Sequence, residues 1–176
     1  YYGDSTFDTC LIPTIGVTYD LFSLKTKSIC SWNLDEVFLT REVVLSSAAV
    51  PLYFYPRLVS PLGSHEAFRP KYCFVDGGVT AINPASILVE EAKKLYPEAR
   101  GFEVVSIGTG RAEQSLTQSL LRSGFSFDGL SSAVINHTMN TQTDATDGEL
   151  KKMPNVTYTR LNAPIPAENM DTTNHT

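Results

Sequence analysis

Residues 72–107 have the sequence YCFVDGGVTAINPASILVEEAKKLYPEARGFEVVSI, and this stretch decides the fold. Its first four residues are apolar or aromatic and predict a short buried strand that ends at Asp76. Gly77 and Gly78 break this strand, and a second apolar strand is predicted for residues 102–107. Two apolar strands separated by a helical segment predict an α/β domain with a mostly parallel sheet.

The segment between the two strands carries clear signals for a helix. Asn83 suits the N-cap, and Pro84 suits the first helical position, where its missing N–H removes no hydrogen bond. Pro97 ends the helix. The apolar residues recur at the spacing expected for a helix that packs on a sheet: Ala85, Leu88, Val89, Ala92 and Leu95.

Further elements are predicted on both sides of this stretch. They are a strand at residues 14–20, a partner strand at 28–32 across a polar turn at 25–27, a helix at 39–49 that Pro51 ends, mixed helix and loop at 113–140, and a strand at 156–161. The sequence has no internal repeat and no linker, so residues 1–176 are predicted to belong to a single domain.

The composition limits the class of protein. A chain of 176 residues with 42% hydrophobic residues can build a core, and its net charge of −5 without a basic cluster argues against nucleic acid as a partner. It does not exclude a membrane surface, although no segment is apolar enough to span one. Three cysteines without metal-ligand spacing predict free thiols, and neither a metal nor an organic cofactor is expected: Cys10, Cys30 and Cys73. These features favour a cytoplasmic or peripheral membrane location, with secretion left open.

Asp76 is the main candidate for a catalytic residue. In α/β sheets, ligands bind at the carboxyl ends of the strands, and Asp76 lies at such an end. Its carboxylate would act as a general base, while Gly77 and Gly78 would permit positive φ or a close backbone approach. Asp-Gly is also a common turn dipeptide, and this segment alone favours a turn.

Several segments in order resemble the patatin-like phospholipases, a family that includes the calcium-independent phospholipases A2. The first matching segment is Ser46-Ser47-Ala48-Ala49-Val50-Pro51-Leu52-Tyr53-Phe54, which has one extra residue before the proline. The others, in chain order, are Asp76-Gly77-Gly78 followed by Asn83-Pro84, Ser106-Ile107-Gly108-Thr109-Gly110, Tyr158-Thr159-Arg160-Leu161-Asn162, and Met170-Asp171. Each match is short, but together they extend over nearly the whole chain.

The resemblance implies a three-layer α/β/α fold and a lipid acyl hydrolase of the phospholipase A type. In that family a serine attacks the ester, an aspartate takes its proton, and the reaction passes through an acyl-serine. Asp76 matches this aspartate, with Gly77 and Gly78 as the motif glycines. The implied partners are a phospholipid or another lipid ester and a membrane surface, and an activating protein is left open.

The nucleophile of such a dyad is not in this sequence. No G-x-S-x-G occurs, and Ser126, which comes nearest to this pattern, lacks a leading strand. Because the family's serine precedes its aspartate, we expect residues 1–176 to be the C-terminal portion of the domain. A parallel sheet without its first strands exposes an apolar face, so these residues alone are expected to fold poorly and to be inactive.

Other interpretations remain open at this point. One alternative is a non-catalytic patatin-like module that binds lipid or protein, and another is a nucleotide- or sugar-binding domain that uses Gly108-Thr109-Gly110. Residues 144–149 hint at a calcium loop but fit a solvated turn better. The apolar run Tyr53-Phe54-Tyr55 favours core packing, with an acyl-chain cleft or a membrane-facing rim as the alternative. Structural or surface roles are expected for His65, His137 and His175.

Overall fold

The computed structural model describes residues 2–51, 53–64, 70–112 and 127–165. The chain divides into two compact units, Tyr1–Pro84 and Ala85–Thr176. It combines helices with an antiparallel sheet and with parallel strand pairs, in agreement with the predicted α/β class.

The first unit contains one helix on one face of a four-stranded sheet. Its elements are β1 (Ile15–Asp20), β2 (Lys25–Cys30), α1 (Thr40–Ser47), β3 (Arg57–Val59) and β4 (Tyr72–Asp76). The strand order is β2-β1-β4-β3, and every neighbouring pair is antiparallel. The prediction of a mostly parallel sheet is therefore wrong for this unit. One reason is that only residues 21–24 join β1 to β2, and so short a connection can join only antiparallel strands.

The Asp20 carboxylate fixes the turn of this β1–β2 hairpin. It accepts hydrogen bonds from the main-chain N–H groups of Phe22 at 3.2 Å and Ser23 at 3.1 Å. The chain then passes through Leu24, whose φ of 56° lies in the left-handed region. The prediction of a turn at residues 25–27 was wrong. The Asp20 side chain stabilises a turn at residues 21–24, and residues 25–27 belong to β2.

Helix α1 lies unusually close to β1. The predicted helix at 39–49 is confirmed, although α1 covers only Thr40–Ser47 and ends before Pro51. Val43 lies on its buried face, whereas Val44 is exposed. A Cβ atom on Gly16 would lie 2.3 Å from Cγ1 of Val43, so only glycine leaves room for the helix at this position.

The core of the first unit lies between α1 and the sheet. It contains one continuous cluster of buried side chains, namely Phe7, Ile29, Phe38, Val43, Val59 and Phe74. Tyr72 packs at its edge and stacks on Phe74 with ring centroids 4.9 Å apart. The alternation along β4 therefore turns Tyr72 and Phe74 to the helix-covered face.

The second unit is built around parallel strand pairs. Its elements are α2 (Ala85–Leu95), β5 (Phe102–Ile107), β6 (Arg111–Ala112), α3 (Phe127–Leu150), β7 (Val156–Leu161) and β8 (Pro164–Ile165). β5 pairs with β7 and β6 pairs with β8, both in parallel. The strands predicted at 102–107 and 156–161 and the helix after Pro84 are confirmed. Helix α3 continues ten residues beyond the mixed segment predicted to end near 140, and residues 113–126 lie outside the described ones.

One face of the β5–β7 pair is covered by helices and the other is exposed. Ala85 and Val89 of α2 and Leu150 of α3 form a buried cluster, against which Val104, Val156 and Tyr158 pack. On the opposite face, the apolar side chains of Val105, Ile107 and Leu161 are exposed. Parallel sheets in α/β proteins are normally covered on both faces. The described part of this unit thus has one helical layer, and the three-layer arrangement remains a prediction.

A polar cluster stabilises the edge of the first unit. The Glu36 carboxylate accepts hydrogen bonds from Lys27, with Nζ at 2.6 Å, and from Lys71 and the Tyr72 hydroxyl. Partial burial alone would raise the pKa of Glu36, but the three donors outweigh burial and lower the pKa to about 2. Because the folded-state pKa lies below the ordinary value of 4.5, ionised Glu36 stabilises the folded protein above that value.

We expect Glu36→Gln to lower the free energy of unfolding at pH 7 by about 1–2 kcal/mol, because it removes a charged acceptor from three donors. The difference from the parent protein should shrink as the pH falls from about 4.5 towards about 2, where the parent carboxylate also becomes neutral. Denaturant unfolding at a series of pH values measures this. The exposed Glu98→Gln is the control and should show no such pH dependence. An effect of Glu36→Gln that stays constant down to pH 2 would contradict the assignment.

Candidate active site

Asp76 lies at the carboxyl end of β4 and is held from two sides. Its main-chain N–H donates to the carbonyl oxygen of Ala49 at 3.0 Å, and this joins β4 to the chain that leaves α1. Its Oδ1 accepts the N–H of Gly78 at 2.6 Å and so caps a 3-10 turn over Gly77–Val79. The side chain is half-buried. The structure thus places Asp76 at the end of its strand, as predicted, with one carboxylate oxygen fixed.

The second oxygen of this carboxylate differs from the first. Within the described residues no group donates a hydrogen bond to Oδ2 of Asp76. A carboxylate that is oriented through one oxygen and open at the other can accept a proton from a hydroxyl group. The arrangement fits a general base, and it equally fits a structural cap, which needs only Oδ1.

Of the two motif glycines, Gly77 is required by space and not by conformation. Neither Gly77 nor Gly78 has a positive φ, so the expectation of a left-handed backbone was wrong. A Cβ atom on Gly77 would lie 2.5 Å from the main-chain oxygen of Val17 in β1, whereas one on Gly78 would lie 2.9 Å from Oδ1 of Asp76. The expected close approach is therefore real, and Gly77 lets the turn after Asp76 pass directly over β1.

Small residues at the end of α1 form the other wall of the site. The Ser47 hydroxyl donates to the carbonyl oxygen of Val17 at 2.8 Å, and Ala49 holds the N–H of Asp76. Ser46 is fully buried, and its Oγ has no hydrogen-bond partner in the described part of the chain. Serine and alanine side chains are short, and this lets the helix end, β1 and β4 meet at one point.

Sequence reasoning missed Asp20 as a structural residue. Asp20 is buried, and besides the two turn N–H groups its Oδ1 accepts the N–H of Cys73 at 3.0 Å. Burial alone would raise the pKa of Asp20, but the hydrogen bonds that its carboxylate accepts outweigh burial and hold the pKa below the usual range. An aspartate that ends a strand before a short turn was the available signal. With three N–H donors, Asp20 serves the fold and is not a second candidate base.

The glycine-rich loop after β5 does not offer its N–H groups to a ligand. The Gly108 N–H donates to the carbonyl of Leu161 at 2.8 Å, and the Gly110 N–H donates to Oδ1 of Asn162 at 2.9 Å. Gly110 has a φ of 107°, which favours glycine. The segment joins two strands, β5 and β6, and the Gly108 and Gly110 N–H groups are used within the protein. This weakens the nucleotide-binding alternative, because phosphate binding would need these donors.

The remaining candidates from the sequence give no site. Residues 144–149 lie inside α3 and not in a solvated turn, and Asp144 makes a two-bond ion pair with Arg111 at 2.6 and 2.9 Å. His137 is exposed on α3, while His65 and His175 lie outside the described residues. Within the described part of the chain, no group of three potential metal ligands comes together, and no helix is long and apolar enough to cross a membrane.

The run Tyr53-Phe54-Tyr55 is exposed, so the interpretation as core packing was wrong. The N–H groups of Tyr53 and Phe54 both donate to the carbonyl of Val50, at 3.2 and 3.0 Å. This single tight turn projects the aromatic rings outward. Burial was expected from their hydrophobicity, but the turn that follows α1 directs them away from the core.

Comparison with known proteins gives one distant similarity. The chain is 29% identical over 119 residues to "Patatin-like protein 1" of Oryza sativa subsp. indica. The match covers 60% of this chain but 27% of that protein, so the chain corresponds to about a quarter of this relative. No protein-family profile matches. The similarity agrees with the resemblance in the motifs and supports a likeness to patatin-like proteins.

We expect Gly77→Ala to destabilise the folded protein by about 1–3 kcal/mol, because the new methyl group would press on the rigid main chain of Val17. Gly78→Ala is the matched control. Its methyl group meets the end of the Asp76 side chain, which can move, so its effect on stability should be clearly smaller. Denaturant unfolding of both variants measures the difference. Equal effects of the two substitutions would mean that close packing against β1 does not explain why residue 77 is a glycine.

Proposed function

We propose that the chain is part of a lipid acyl hydrolase of the phospholipase A type, in which Asp76 is the catalytic base. The observation that carries the proposal is the Asp76 carboxylate, oriented by the Gly78 N–H through Oδ1 and left open at Oδ2. The similarity to a patatin-like protein of rice supports the class of reaction. The proposed substrates are phospholipids or other lipid esters at a membrane surface, and the proposed location is the cytoplasm or the membrane periphery.

The proposed reaction proceeds in two steps. In the first, a serine hydroxyl transfers its proton to Asp76 while its oxygen attacks the ester carbonyl carbon. The C–O bond to the alcohol then breaks, and the departing oxygen takes the proton from Asp76. In the second, Asp76 removes a proton from water, the water oxygen attacks the acyl-serine, and the serine oxygen recovers that proton as the fatty acid leaves. No metal or organic cofactor takes part in either step.

The serine in this proposal belongs to polypeptide outside the 176 residues. The sequence contains no G-x-S-x-G that could supply it. The exposed face of β5–β7 carries Val105, Ile107 and Leu161 at its carboxyl end, and a further layer of the same domain would bury these apolar side chains. We propose that the nucleophile-bearing part of the domain covers this face.

We expect Asp76→Asn in the protein that carries both parts of the dyad to lower kcat for lipid ester hydrolysis at least about a thousand-fold, because an amide cannot accept the serine proton. The amide oxygen can still accept the Gly78 N–H, so unfolding should be little changed. The matched control is the exposed Asp35→Asn, which should hydrolyse lipid at the parent rate. Hydrolysis by Asp76→Asn near the parent rate would disprove the assignment and would favour the non-catalytic binding module.

We expect residues 1–176 produced alone to aggregate or to unfold without cooperativity, and to hydrolyse no ester. Co-expression with the polypeptide that precedes them in the parent protein should yield a soluble and active complex. Size-exclusion chromatography, thermal melting and an esterase assay measure these properties. A monomeric fragment that melts cooperatively by itself would contradict the proposal that a further layer of the domain is missing.

A further inference from the structure

The Asp76 end of the first unit's sheet carries an exposed aromatic surface. We define the aromatic rim as Tyr53, Phe54 and Tyr55, whose exposed fractions are 81%, 62% and 92%. The turn that closes on the Val50 carbonyl presents these rings in a fixed arrangement. We propose that the aromatic rim enters the interface of a phospholipid bilayer and so brings the Asp76 end of the sheet to its lipid substrate.

The strand register places the rim beside Asp76. Arg57 at the start of β3 pairs with Phe74, two residues before Asp76, so the residues that lead into β3 lie at the same end of β4 as Asp76. β1 is antiparallel to β4 and enters the sheet at this end too, after the exposed Leu11 and Ile12. Since β1 and β3 both neighbour β4, both apolar segments enter the sheet at the Asp76 end.

The chemistry of these segments favours lipid as the occupant. Residues 50–56 and 9–13 contain no charged residue, so their entry into a bilayer interface desolvates no ion. Tyrosine combines an apolar ring with a hydroxyl group and is enriched where one end of a side chain meets hydrocarbon and the other meets water. The exposed face of β5–β7 is different, because it carries the charged Glu103 and two threonines, Thr157 and Thr159, beside its aliphatic residues, which suits cover by another protein layer better than entry into a bilayer.

The charge of the protein argues against electrostatic attraction as the way in which the aromatic rim binds a bilayer. The chain has a net charge of −5, and the two segments contain neither lysine nor arginine. Apolar insertion of the aromatic rim therefore drives binding, and attraction to anionic lipid does not. Binding to vesicles of phosphatidylcholine, which carry no net charge, should consequently be insensitive to salt.

The opposite end of the same sheet offers a matched control. Phe22 lies in the β1–β2 turn, away from Asp76, and is 59% exposed, nearly as much as Phe54. A charge placed at Phe22 changes the apolar surface of the protein by a similar amount but leaves the Asp76 end intact. The comparison of Phe54→Asp with Phe22→Asp thus separates a specific docking surface from general surface hydrophobicity.

The experiment measures binding of the protein that carries both parts of the proposed dyad to phosphatidylcholine vesicles by co-sedimentation. We expect Phe54→Asp and Tyr55→Asp each to weaken binding about ten-fold, and Phe22→Asp to change it less than two-fold. All three should unfold like the parent, because the changed side chains are exposed. Unchanged binding of the rim variants, an equal loss in Phe22→Asp, or failure of the parent protein to bind would overturn the proposal. If the rim variants still bound vesicles but no longer formed a complex with another protein, the rim would be a protein interface. This result would overturn the proposal too.

Because the inference rests on the proposed lipid hydrolysis, a second assay keeps the two apart. A soluble short-chain ester needs the base but no membrane. The rim variants should hydrolyse it at the parent rate, whereas Asp76→Asn should not hydrolyse it and should still bind vesicles. Vesicle binding by the rim in a protein without esterase activity would support the docking surface and reject the proposed enzyme. Esterase activity in a protein whose rim variants bind vesicles as the parent does would support the proposed enzyme and reject the docking surface.

Discussion

The position of Asp76 depends on the hydrogen bonds that the buried Asp20 carboxylate accepts at the other end of the strand pair. Asp20 ties the β1–β2 turn to the N–H of Cys73 in β4. The β1–β4 pairing is only three residue pairs long, with Thr18 opposite Asp76. A slip of one residue would turn Asp76 to the opposite face of the sheet. The cluster of donors around Asp20 opposes such a slip, because a buried carboxylate that lost them would lie uncompensated in the protein interior.

The site itself is assembled from short contacts in which at least one partner is a main-chain group. The Ala49 carbonyl, the Gly78 N–H and the Val17 carbonyl fix the helix end, the turn after β4 and β1 relative to each other. Few side chains take part, because serine, alanine and glycine occupy these positions. The geometry around Asp76 is therefore set by the backbone of the first unit, and the carboxylate needs only one hydrogen bond of its own to be oriented.

The sequence predicted the parts of this fold that local patterns determine. An apolar run ended by Asp-Gly-Gly located β4 and Asp76, and the Asn83-Pro84 pair with its apolar stripe located α2. It did not predict the pairing of β4 with β1, because an apolar strand has the same pattern in a parallel and in an antiparallel sheet. The role of Asp20 was missed because its donors come from its own turn and from Cys73, which is 53 residues away in the chain. Exposure of the aromatic run was missed because hydrophobicity alone does not give the direction in which a turn projects its side chains.

The contact between Gly16 and Val43 extends these constraints to a residue that touches no substrate. With no Cβ at position 16, α1 settles against β1, and the chain beyond the helix reaches Asp76 through Ala49. Any larger residue at position 16 would lift the helix and carry the Ala49 carbonyl away from its partner. During sequence divergence, such a position would be retained as strictly as Asp76, although it lies in the scaffold. Variation in Gly16 among descendants of this chain would therefore mark copies in which the geometry around Asp76 is no longer under selection.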